Sequence, residues 1–181
     1  MPDMRKRGTL SDIKPINYMT LAHQPLGKIL PLLFCINLLI GCGQSSDPYQ
    51  AFDKGDYETA YAGFYTLAKE EDLAALNYLG VMHYLGYGRK RDVQAARQWF
   101  EIAANKGFAG AQFNLGNMYA NGEGVQQDFT KAYMWFYVAN EFGHEQAKKR
   151  MSLLLMDHKL FPNQAMHARE LAENFVDTSK Q

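Results

Sequence analysis

Two glycines bracket a single acid in the stretch Gly122-Glu123-Gly124. Such a loop can cradle a phosphate when a strand leads into it, a helix starts at it and a lysine faces the anion. The stretch offers none of the three. Histidines are the next candidates, but His83, His144, His158 and His167 form no His-x-x-x-His or acid-flanked pair at helical spacing. Neither a metal nor a cofactor is therefore expected. The neighbouring carboxylates Glu70, Glu71 and Asp72 lie at a predicted helix end and cannot face each other across a cleft, as an acid–base pair must. No Gly-x-Ser-x-Gly elbow supplies a nucleophile. These absences point away from an enzyme.

Cysteine is the remaining reactive type, at Cys35 and Cys42. Residues 29–40, "ILPLLFCINLLI", are apolar, follow Lys28 and end at Gly41-Cys42. Twelve residues are short for a bilayer span and fit the hydrophobic region of a signal peptide. Leu39-Ile40-Gly41-Cys42 resembles a bacterial lipobox. The resemblance implies a signal peptide over 1–41, cleavage before Cys42, lipid on that cysteine and export to the cell envelope. The 28 residues ahead of the apolar run are long for a charged signal region, so an alternative start at Met19 stays open. The whole chain balances 19 basic against 19 acidic residues; without residues 1–41 it keeps 14 and 17. That charge offers no patch for nucleic acid or anionic lipid. With Cys35 removed, Cys42 is the last cysteine, and the folded part can hold neither a disulfide nor a thiolate metal site.

The elements that position everything else repeat every 36 residues. Gly86, Gly88 and Asp92 stand in register with Gly122, Gly124 and Asp128. The same offset pairs Leu79 with Leu115, Gly80 with Gly116, Met82 with Met118, Trp99 with Trp135 and Phe100 with Phe136. A ligand loop seldom recurs at fixed spacing, whereas the turn of a repeat must. Apolar residues at i, i+3, i+4 and i+7 make each half of the unit a helix, the glycines reverse the chain, and the aspartates cap the second helix. Gly80, Gly116 and alanines at 96, 103, 132 and 139 leave room for the large rings. A single hairpin cannot bury its apolar face, so the units must stack.

Residues 109–140, "AGAQFNLGNMYANGEGVQQDFTKAYMWFYVAN", resemble a Sel-1-like repeat, a relative of the tetratricopeptide repeat, and residues 73–104 match nearly as well. The resemblance implies an all-α fold. Stacked antiparallel helix pairs would form a right-handed superhelix with about two full 36-residue repeats and capping helices over 47–176. Residues 42–46 would be a lipidated tether and 177–181 a disordered tail. Cysteine-rich relatives associated with penicillin binding or hydrolysis carry paired cysteines in each repeat, which this chain lacks.

The resemblance further implies a protein-binding scaffold without metal or nucleic acid. First helices line the inner face of related solenoids, so Tyr78, Val81, Asn114, Asn117 and Asn121, pointing away from Leu79 and Leu115, are the expected partner surface. Four residues separate Cys42 from Asp47. They reach roughly 15 Å at ~3.5 Å per residue, which favours a membrane-proximal partner. The absence of aspartate after Cys42 resembles sorting to the outer membrane, facing the periplasm. The readings that remain are, in order, an adaptor for an envelope component, a periplasmic immunity protein that occludes a toxin effector such as a lipase, and an enzyme.

Overall fold

The computed structural model describes residues 47–179; the expected signal peptide over 1–41, the expected lipidated tether over 42–46 with Cys42, and residues 180 and 181 lie outside them. Helix is the regular structure throughout the described residues. In order they are α1 (Pro48–Asp53), α2 (Tyr57–Lys69), α3 (Leu73–Leu85), α4 (Val93–Asn105), α5 (Ala109–Asn121), α6 (Phe129–Glu141), α7 (Ala147–Met156) and α8 (Pro162–Ser179). The pairs α3/α4 and α5/α6 are two hairpins offset by 36 residues at every boundary, and α2 keeps the same register as a second helix. Among the described residues no helix is long and apolar enough to cross a membrane.

Local chemistry sets the helix ends. Asp56, Asp92 and Asp128 accept hydrogen bonds from the backbone N–H groups of Thr59, Ala95 and Lys131 at 3.2, 2.9 and 2.9 Å, satisfying donors that a helix start leaves free. Gly86 and Gly122 end α3 and α5 in the left-handed region, at φ +78° and +73°. Their N–H groups donate to the Met82 and Met118 carbonyls at 2.9 Å. The glycines two residues later serve a different need. A Cβ on Gly88 would stand 2.8 Å from the Tyr57 Cβ, and one on Gly124 2.8 Å from Val93 Cγ1. Tyr57 and Val93 occupy one repeat position, so each turn packs on the start of the preceding unit's second helix.

Burial follows the repeat. Phe64, Phe100 and Phe136 are enclosed, as are Leu79, Leu115, Met82 and Met118. A Cβ on Gly116 would lie 2.5 Å from two carbons of the Phe136 ring, and Gly80 stands in the same relation to Phe100. The second-helix ring thus fills the space that the first-helix glycine leaves, which locks each hairpin. Trp99 and Trp135 are only partly buried and flank these rings, with Trp135 edge-on to Phe175 at 5.3 Å.

The third unit lacks this lock. Ser152 stands where the repeats have glycine, Ala172 stands where they have phenylalanine, and Ser152 is exposed. Accordingly α8 packs along α6 rather than pairing with α7, its partner by register. Ala168, Ala172 and Val176 form its buried stripe, with Val138 of α6 sharing the last cluster. Residues 177–179, expected in a disordered tail, are helical. Val176 anchors the preceding turn, and the Thr178 and Ser179 hydroxyls donate to carbonyls of Asn174 and Phe175.

Candidate partner-binding trough

Consecutive first helices place their outward side chains in one row. Between α3, α5 and α7 runs a trough of about 450 Å³ whose lining includes Val81, Asn114, Asn117 and Asn121 from the expected surface. Tyr78 is not among them. It stacks on Phe64 at 4.6 Å and meets Tyr49 and Phe52 edge-on at 5.3 and 5.1 Å, because α1 folds over the N-terminal end and recruits it into that aromatic cluster.

The amides of the row are tied to one another across repeats. Asn114 donates to Asn77 Oδ1 at 3.0 Å, and Asn117 Oδ1 accepts from Arg150 Nε and Nη2 at 3.1 and 2.5 Å. At the loop end, Glu123 accepts from the Tyr84 hydroxyl, from Asn121 Nδ2 at 3.3 Å and from Arg91 at 3.4 Å. The acid between the two glycines therefore ties its loop to the neighbouring repeat. Burial, then the hydrogen bond to Glu123, pushes the Tyr84 phenol up to about 12, while the Tyr84 bond holds the Glu123 carboxyl below its usual range. Both groups keep one protonation state around neutrality, which makes them structural ties rather than proton donors or acceptors.

Apolar walls come from Val81, Leu85, Phe113 and Met118. Tyr84, Gln146 and Arg150 also line the trough and were not expected there. Arg150 could have been found: it lies 36 residues after Asn114 and 72 after Tyr78, the same repeat position. His83 and His144 do not line the trough. His144 stacks on Phe113 at 4.0 Å, its Nδ1 buried without a hydrogen-bond partner, and His83 likewise has an unpartnered buried Nδ1. Desolvation lowers both imidazoles, and the Arg89 charge lowers His83 further. A lowered folded-state value means that the neutral form favours the native state. Stability from these residues is complete above the unfolded value of about 6.5 and is lost as pH falls through the lower folded values. Thermal melts should therefore drop by a few degrees between pH 7.5 and 5.0, and His144→Phe should flatten part of that slope; equal slopes in both proteins would remove His144 from the account.

A model of the Sel1 repeat matches residues 73–108 and 109–141, which are the two locked hairpins. Among solved structures the chain is similar to the Sel1 repeat protein from Oxalobacter formigenes, with 29% identity and a TM-score of 0.58, covering 71% of this chain and 54% of that one. It is also similar to a protective antigen present in uropathogenic Escherichia coli strains that displays an SLR fold, with 27% identity and a TM-score of 0.63, covering 74% of this chain and 29% of that one. The chain spans about half the length of the first and under a third of the second. No curated protein matched it. Helix boundaries, turn glycines and the glycine–phenylalanine locks coincide with the matched segments, so the chain carries two Sel1 repeats at residues 73–108 and 109–141.

Proposed function

We propose that the chain is a protein-binding module held at a membrane of the bacterial cell envelope by lipid on Cys42. The observation that carries the binding role is the trough itself: amides at Asn114, Asn117 and Asn121, an unopposed guanidinium and an apolar floor, presented by three helices in register. Amide side chains offer donors and acceptors that match a peptide backbone, and neither they nor the guanidinium supply a nucleophile. The lipobox-like tetrad and the four-residue spacer support a position close to the membrane.

The test is crosslinked co-purification of the tagged full chain from native membranes, beside a Cys42→Ala form, with mass spectrometry of what accompanies each. The expected result is one near-stoichiometric protein with the wild type, depleted with Cys42→Ala. An envelope component would make the chain an adaptor, and a toxin effector would make it an immunity protein. Capture of nothing by either form, with a soluble and unlipidated wild type, would contradict the proposal.

A further inference from the structure

Arg150 is the feature of the trough that packing leaves unexplained. It is half-buried at one side of the row and lines the trough. Its Nε and Nη2 point to the neutral Asn117 Oδ1, and its guanidinium lies 5.7 Å from the centre of the Phe136 ring. Among the described residues no carboxylate forms an ion pair with it, although Arg91, Arg97 and Arg169 all have acidic partners. Glu123, the acid nearest the trough in the hydrogen-bond network, is already taken by Tyr84, Asn121 and Arg91. A partly desolvated cation with no counter-charge is costly unless a ligand supplies one. The engaged edge of the guanidinium is Nε/Nη2, which leaves the Nη1/Nη2 fork free for a two-point bond to a carboxylate.

We infer that the trough holds an extended segment of the partner through an Asp or Glu side chain bound by Arg150, with a neighbouring apolar residue on Val81, Leu85 and Phe113. The inference rests on the binding-module reading above. Asn117, which positions Arg150, is the middle of three asparagines on α5, with Asn114 one turn before it and Asn121 one turn after. Beyond its bond to Asn77 or Glu123, each flanking NH₂ keeps a second N–H, so hydrogen-bonding groups continue on both sides of the charge, a peptide passes through rather than ending there, and the carboxylate comes from a side chain rather than a chain terminus.

Two random twelve-residue peptide libraries, one with amidated and one with free carboxyl ends, would be selected against the full chain in detergent. Both should yield binders carrying Asp or Glu beside an apolar residue. Replacing that acid by its amide should weaken binding by about tenfold or more in the wild type, as loss of a charge-assisted bond does, and by less than about twofold in R150Q. Arg150→Lys should recover part of the discrimination, and melting curves would establish that each variant folds. Failure to select binders, binders confined to free-ended peptides, binders without an acid, or equal acid dependence in R150Q would each overturn the inference. A partner captured equally well by wild type and R150Q in the crosslinking experiment would overturn it while leaving the binding module standing.

Discussion

Gly116→Ala is expected to destabilise the protein, against the usual benefit of removing a helical glycine. That benefit is about 1 kcal/mol from backbone entropy and helix propensity. Opposing it, the new methyl would sit 2.5 Å from Phe136 Cδ1 and Cε1. The ring has no space to retreat, because it is 1% exposed and packs against Phe113 at 5.4 Å between centres. Overpacking a filled core costs about 1–3 kcal/mol and sometimes more. The net loss should be about 1–2 kcal/mol, and Gly116→Val should cost more. Phe136→Ala alone should cost about 3–5 kcal/mol. In that background the sign must reverse, because the ring is gone and only the helix benefit is left, so Gly116→Ala should stabilise by up to about 1 kcal/mol. Urea unfolding of the four proteins measures the cycle. Additive effects would show that the glycine does not serve the ring.

The second large effect is expected on localisation. Acyl anchoring contributes about 0.8 kcal/mol per buried CH₂, so one chain is marginal and several are lasting. If Cys42 carries several, the wild type should remain in the membrane pellet through salt and carbonate washes and leave only with detergent. Cys42→Ala should then appear almost wholly in the soluble fraction. Exposed apolar residues at the C-terminal end, Met156, Phe161 and Met166 at 73, 63 and 72%, set the alternative outcome. A Cys42→Ala protein that stays on membranes would shift the attachment to that end.

Much of the fold was legible because repetition multiplies weak signals. One Gly-x-Gly is ambiguous, whereas Gly86-x-Gly88 and Gly122-x-Gly124 at 36 residues, each followed by aspartate, identify a turn and a cap. The same logic makes Gly80, Gly116 and the alanines the space for the large rings, but that Phe100 and Phe136 rather than the tryptophans fill the glycine gaps is seen only in the packing. The signal weakened where the repeat decays. Loss of both lock residues, at Ser152 and Ala172, breaks the third hairpin and sends α8 onto α6, a tertiary choice that no local pattern encodes. Tyr78 departs from the expected surface for a related reason: its repeat position faces the trough, but α1 supplies aromatic neighbours at the first unit. Arg150 extends the column of Tyr78 and Asn114 into the third unit, where Ser152 in place of the glycine hides the register. Glu123 and Tyr84 are 39 residues apart, outside the repeat period, so their bond has no sequence signature.

The central claim, that a partner occupies the trough, is tested most directly by photo-crosslinking in native membranes. A photoreactive phenylalanine would replace Asn121, exposed at the trough, or Gln98, exposed on α4 and away from its lining. The account predicts a discrete crosslinked protein from position 121 and none from position 98. A crosslink from position 98 with none from position 121 would place the partner elsewhere on the surface and contradict it.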